Sequence, residues 1–227
     1  MPGGLIVALD TADPAQAARW AEAVSPHCGL IKLGLEFFAA NGPRGVQELA
    51  GPPVFLDLKL HDIPNTVAAA VRALLPLRPR MLTLHAGGGG AMITAAREAC
   101  GAGERPILLG VTVLTSLNAA DLAFMGVNSS LEDQVVRLAR QAIENGADGV
   151  VCSPWEARAL RTALGPEPVL VVPGIRPRGA ALGDQARVMT PEEAVAAGAD
   201  WIVVGRPVTG AADPGAAARA IAESIAS

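Results

Sequence analysis

Lysine is almost missing from this chain: of 18 basic residues among 227, sixteen are arginine and only Lys32 and Lys59 are lysine. Aromatic residues are nearly as scarce. Four Phe, three Trp and no Tyr argue against a stacking platform for single-stranded nucleic acid. Blocks of positive charge are missing too, and the formal net charge is −4, which argues against duplex DNA as a partner. No apolar run approaches the roughly 18 residues a membrane-spanning helix needs. The first run, Leu5–Leu9, follows no Lys or Arg and stops at Asp10, too short for a secretory core. Cys28, Cys100 and Cys152 are odd in number, scattered and outside any C-x-x-C pattern. They are expected to be small buried hydrophobes in a reducing compartment. His27, His61 and His85 form no i,i+4 pair and have no nearby Cys, so no metal site is expected. A cytoplasmic protein without a nucleic-acid or membrane partner is the expectation.

What is abundant is short, β-branched apolar sequence. Candidate strands are Leu5–Leu9, Leu30–Leu33, Val54–Lys59, Met81–His85, Ile107–Leu114, Gly149–Ser153, Val169–Val172 and Trp201–Gly205. Between them lie Ala-rich stretches with helical spacing, such as Pro14–Val24, Thr66–Leu75, Leu131–Asn145 and Pro191–Ala197. Near-continuous apolar strands alternating with helices imply a parallel sheet covered on both faces. Eight such units predict a single α/β domain over residues 1–227, a closed (β/α)8 TIM barrel. An open doubly wound sheet is the alternative, but the first βα turn, Asp10-Thr11-Ala12-Asp13, carries no G-x-G-x-x-G.

Active sites of such barrels form at the carboxyl ends of the strands. Those ends supply Asp10, Lys32, Asp57 with Lys59, His85, Thr115-Ser116, Ser153, Pro173-Gly174-Ile175-Arg176 and Gly205-Arg206. The densest run is Asp57-Leu58-Lys59-Leu60-His61-Asp62-Ile63-Pro64-Asn65-Thr66. Period-two alternation puts Phe55, Asp57 and Lys59 on one face, which must be the barrel mouth. Burying an Asp–Lys pair costs several kcal/mol of desolvation per ion, a poor choice for stability alone. An ammonium group can release a proton once its environment is tuned, whereas guanidinium cannot. Lys59 is therefore expected to exchange a proton, with Lys32 in the same cluster and Asp57 holding both. The loops after the last two strands, with Gly174, Arg176, Gly205 and Arg206, suit a phosphate.

The run Asp57–Thr66 closely resembles the signature of the orotidine 5′-phosphate decarboxylases. The resemblance extends over nearly the whole chain, through Leu9-Asp10, Ile31-Lys32-Leu33-Gly34, Leu84-His85-Ala86, Leu114-Thr115-Ser116, Pro173–Pro177, Asp184-Gln185 and Gly205–Thr209. It implies decarboxylation of orotidine 5′-monophosphate to uridine 5′-monophosphate without cofactor or metal. It implies a catalytic array of Lys32, Asp57, Lys59 and Asp62, with Lys59 protonating C6. Asp10 and Lys32 would hold the ribose, Ser116 and Gln185 the pyrimidine, and Arg206 with loop amides near Gly205 the phosphate. Thr115 and Arg176 match further binding positions. The resemblance also implies a homodimer in which Asp62 and Thr66 reach into the neighbouring subunit's site. The shorter D-x-K-x-x-D core is shared with Mg-dependent decarboxylases of β-keto sugar phosphates, the alternative activity.

Overall fold

Eight parallel strands close into a barrel in chain order, β1 pairing with both β2 and β8. They are β1 (Gly4–Ala8), β2 (Leu30–Gly34), β3 (Val54–Leu60), β4 (Met81–His85), β5 (Ile107–Val111), β6 (Gly149–Val151), β7 (Val169–Val172) and β8 (Trp201–Val204). This computed structural model describes residues 4–178 and 189–226. The helices are α1 (Pro14–Val24), α2 (Leu35–Glu48), α3 (Pro64–Leu74), α4 (Gly90–Ala99), α5 (Ala119–Phe124), α6 (Leu131–Glu144), α7 (Ala157–Leu164), α8 (Pro191–Ala196), α9 (Arg206–Thr209) and α10 (Pro214–Ala226). The TIM barrel expected from the strand–helix alternation is the fold observed, and the doubly wound alternative is excluded by closure of β1 on β8. Among the described residues, no helix is long and apolar enough to cross a membrane.

Alternation along the strands builds two separate apolar layers. Residues such as Leu5, Val7, Ile31, Leu33, Leu56, Leu82 and Leu84 face outward and pack beneath the helices. Ile6, Ala8, Leu30, Phe55, Met81, Leu109, Val171 and Val203 face inward and fill the lumen, as a small barrel requires. Trp201 joins this inner layer. An added Cβ at Gly4 would collide with its ring, and one at Gly29 would lie 2.8 Å from it. Glycine at these two positions leaves the space the indole occupies. The helices follow local rules: Pro14 opens α1, Asp13 accepts a hydrogen bond from the Ala15 amide at 2.8 Å, and Ala17, Ala21 and Val24 form the buried stripe.

The alternation expected through Lys59 is interrupted. Pairing of β3 with β4 moves from Leu56–Leu82 to Leu60–Leu84, so three residues of β3 oppose one of β4. Lys59 adopts φ +49 within this bulge, a left-handed conformation that costs a non-glycine residue about 1–2 kcal/mol. Leu58 and Leu60 pack against the outer layer on either side of it. Four strands end before the expected residue, β1 and β8 by one residue and β5 and β6 by more. The β5 strand stops at Val111 rather than Leu114, and β6 stops at Val151. Ser153 instead caps a short 3₁₀ turn, its hydroxyl accepting from the Trp155 amide and its own amide donating to Glu156.

At the opposite end of the barrel, one three-residue pattern occurs twice. Gly146-Ala147-Asp148 precedes β6 and Gly198-Ala199-Asp200 precedes β8. Both glycines have positive φ, 100° and 111°. Asp148 accepts from Arg105 at 2.6 and 2.7 Å and from the Leu108 amide at 2.9 Å, joining β5 to β6. Asp200 accepts from Arg161 and from the Leu170 amide at 2.7 Å, joining β7 to β8. Burial pushes the Asp148 carboxyl up, but its hydrogen bonds to Arg105 and Leu108 and the nearby guanidinium charges together hold it below the ordinary range. Asp148→Ala should therefore destabilise the fold by about 2 kcal/mol, lowering the melting temperature by roughly 4–8 °C. Because the folded-state value is depressed, the difference from wild type should be full above about pH 5 and shrink in stronger acid. Thermal melts across that pH range check this; coincident melting curves at neutral pH would contradict it.

Candidate active site

In the first four strands the inward-facing series changes from apolar to polar as it nears the mouth. In β1 and the residues after it the series is Ile6, Ala8, Asp10; in β2 it is Leu30, Lys32, Gly34; in β3, Phe55, Asp57, Lys59; in β4, Met81, Thr83, His85. The polar ends surround a cavity of about 260 Å³. Asp57 occupies its charged side. The Lys59 ammonium donates to both Asp57 oxygens at 2.9 Å. The Lys32 ammonium lies 3.7 Å from Asp57 and donates to Asp10 at 3.0 Å. Thr83, fully buried on β4, donates from its hydroxyl to Asp57 at 3.0 Å. The same hydroxyl accepts the Lys59 backbone N–H at 2.9 Å.

These contacts determine the ionisation of Asp57. Burial acts first and pushes its carboxyl up, but the charges of Lys32 and Lys59, aided by hydrogen bonds from Lys59 and Thr83, hold it below the ordinary carboxylate range. Asp57 is thus an anion between two cations, with a second carboxylate, Asp10, on the far side of Lys32. His85 stacks on His61 with ring centroids 5.2 Å apart. Burial, then the neighbouring His61 and Lys59, push His85 below the usual imidazole range and favour its neutral form.

The cavity brings Asp10, Lys32, Asp57, Lys59, Thr115, Arg176, Gly205 and Arg206 around one space. Its apolar wall comes from Phe55, Val111, Val113, Val151 and Val203. Charged groups and hydrocarbon around one space suit a ligand that carries ionic groups on an apolar body. Ser116 does not line this cavity. Asp62 and Thr66 lie apart from it as well. Asp62 lines a separate open groove with His61, Ile63, Pro64, Gly87 and Gly88, and its carboxylate accepts the Ile63 amide at 2.7 Å. Thr66 is exposed in the first turn of α3. Gln185 falls in 179–188, outside the described residues. Among the described residues, no group of three His, Cys, Asp or Glu is placed to hold a metal ion. Thr83 was not expected as a site residue, although the alternation that aligns Asp57 with Phe55 aligns Thr83 with Met81.

The sequence profile of the family described as Orotidine 5'-phosphate decarboxylase / HUMPS matches residues 3–221. The orotidine 5′-phosphate decarboxylase of Gluconobacter oxydans is 57% identical over 229 residues, covering 98% of this chain and 97% of its own. That of an Anaeromyxobacter strain is 57% identical over 223 residues, with 97% of each chain covered. The crystal structure of orotidine 5′-phosphate decarboxylase from Lactobacillus acidophilus superposes with a TM-score of 0.86 at 38% identity, covering 98% of this chain and 99% of that one.

Lys32→Met should raise the Asp57 pKa, because burial remains while the strongest of the compensating charges is removed. The carboxyl carbon resonance of Asp57, followed by NMR through an acid titration, reports this directly. An unchanged titration would mean that Lys32 does not set the charge state of Asp57.

Proposed function

Because this chain belongs to the orotidine 5′-phosphate decarboxylase family, we propose that it converts orotidine 5′-monophosphate to uridine 5′-monophosphate and carbon dioxide, with Lys59 as the proton donor to C6. The observation that carries this reading is the Lys59 ammonium, bound to both oxygens of Asp57 within a cavity that also presents Lys32 and Asp10.

The chemistry needs such an array. When the C6–carboxylate bond breaks, its electron pair remains on a vinylic carbon and cannot delocalise as an enolate would. Stabilisation has to come from a cation already in place where the negative charge develops. Lys59 supplies that cation and then transfers its proton to C6, while carbon dioxide departs. Asp57 keeps the ammonium in position before substrate arrives and lies beside the departing carboxylate. Lys32 and Asp10, joined by their own hydrogen bond, hold the ribose hydroxyls. Thr115 and the apolar wall flank the pyrimidine. Arg206 and Gly205 take the phosphate, with Arg176 at the same end of the cavity. Phosphate binding is remote from the chemistry, so its energy can order the site without contributing equally to ground and transition states.

The separation of Asp62 from the cavity supports a site shared between two subunits. Asp62 stands on the turn that leads into α3 and Thr66 in the first turn of that helix, and Ile63 between them is 67% exposed. An apolar side chain of that size beside two functional candidates is suited to an interface. In a two-fold homodimer the same turn from each subunit enters its neighbour's mouth.

The experiment is the absorbance assay on orotidine 5′-monophosphate, in which turnover is expected and its absence would sink the assignment. Lys59→Ala should lower the turnover number by several orders of magnitude in a folded protein; an appreciable residual rate would remove Lys59 from the role of proton donor.

The shared site has its own test. Inactive Lys59→Ala and inactive Asp62→Ala subunits are mixed under conditions of demonstrated exchange. One site of each hybrid then has both residues intact, and activity should return to about a quarter of wild type at random pairing. No recovery after proven exchange would place Asp62 in its own subunit's site or outside the reaction.

A further inference from the structure

We propose that Thr83 is a positioning residue for the decarboxylation, its single hydroxyl fixing both the Lys59 backbone and the Asp57 carboxylate in the geometry the reaction uses; the proposal rests on the decarboxylase reading of this cavity. Thr83 is fully buried on β4, directly across from the β3 bulge. Two requirements of the bulge meet at its oxygen. The shift in pairing between Leu56 and Leu60 takes the Lys59 N–H out of the regular ladder, and a buried amide left unpaired is costly. The Thr83 oxygen accepts that N–H at 2.9 Å.

The second requirement is the carboxylate. The Thr83 hydroxyl donates to Asp57 Oδ1 at 3.0 Å, the oxygen to which Lys59 also donates at 2.9 Å. No freedom remains in the direction of these bonds: an amide N–H only donates and a carboxylate only accepts, so the hydroxyl hydrogen must point to Asp57. One side chain therefore locks a lysine backbone held at φ +49 and the anion that receives that lysine's ammonium. Serine offers the same hydroxyl. Valine has the same shape and neither capacity.

The charged groups around this junction come from four elements. Lys59 is on β3 with Asp57, Lys32 faces Asp57 from β2, Asp10 follows β1 and reaches it through Lys32, and His85 ends β4 beside Lys59. None of them pairs with the Lys59 backbone N–H, which goes to Thr83.

The test compares wild type, Thr83→Val and Thr83→Ser, each confirmed as folded by circular dichroism, in steady-state decarboxylation across pH. Thr83→Val should lower kcat by about 10- to 100-fold, the loss of a hydrogen bond to a charged group, while KM changes by less than about threefold. The acid limb of kcat/KM should move to higher pH, because a bond that favours ionised Asp57 is gone. Thr83→Ser should recover most of both effects. A purely structural role would lower the melting temperature of the valine variant and leave kcat and the acid limb at wild-type values in the folded enzyme, and that result would overturn the proposal. So would a loss that serine does not recover.

Should the valine variant not fold, Thr83→Ala takes its place with the same expected shifts, judged against Thr83→Ser. Equal activity of the alanine and serine variants would refute the role. The NMR titration of the Asp57 carboxyl carbon, which needs no substrate, should also move upward in Thr83→Val. Absence of decarboxylation by the wild type would defeat the decarboxylase reading, whereas an unmoved Asp57 titration would defeat Thr83 alone.

Discussion

The Asp57 carboxylate, buried between two ammonium groups, is the constraint that the rest of the site satisfies. An isolated anion at that depth would take up a proton. Three partners prevent this: Lys59 at 2.9 Å, Lys32 at 3.7 Å and the Thr83 hydroxyl at 3.0 Å. Meeting the constraint requires contributions from β2, β3 and β4 side by side, all in the inward-facing register. A closed parallel barrel provides this, because its strands end together at one face and alternate residues of each point into the same lumen. Removing any one partner leaves the others holding an imperfectly compensated charge, so these residues act as a unit rather than as separate contributors.

The two ends of the barrel solve different problems. At the mouth, charge is gathered around an open cavity and kept available to a ligand. At the floor, Trp201 fills the lumen in the space left by Gly4 and Gly29. Asp148 and Asp200 are consumed there by arginine and by backbone amides of the neighbouring strand. Arginine suits the floor, where a planar fork can bind a carboxylate at two points. Lysine occurs only at the mouth. Arginine serves at both ends, since Arg176 and Arg206 also line the cavity, whereas both lysines face it.

Much of this was legible in the sequence because the signals are periodic. Regular apolar runs with helical stretches between them specify the barrel, and the two lysines stand out against sixteen arginines. The bulge was not legible. Strict alternation carries Asp57 and Lys59 to the same side, and they do meet, but through a left-handed lysine and a shift of pairing that no period-two rule contains. Thr83 was overlooked for a different reason: threonine is an ordinary strand residue, and its role appears only once β3 lies beside β4. The repeated Gly-Ala-Asp pattern was readable as a string, yet its meaning depends on which strand's amide each carboxylate meets. Asp62 belongs to the clearest motif in the chain and still lies outside the cavity formed by its own subunit, since adjacency in sequence does not decide which way a turn faces.

The placement of the strained residue ties these points together. Lys59 departs from ordinary strand geometry at the position where a cation is needed, and a cost of about 1–2 kcal/mol for its left-handed backbone persists only if the surroundings enforce it. Leu58 and Leu60 anchor both sides of the bulge in the outer apolar layer, Thr83 binds the amide at its centre, and Asp57 fixes the ammonium at its tip. The lysine is therefore held at the backbone and at Nζ, leaving its methylene chain little freedom between. A cation prepared in this way has no large reorganisation to undergo as charge develops on the substrate, which is the condition under which electrostatic stabilisation is most effective. Strain in β3, burial of Asp57 and the hydroxyl of Thr83 are in this sense one device, and its product is an ammonium group fixed in advance of the reaction.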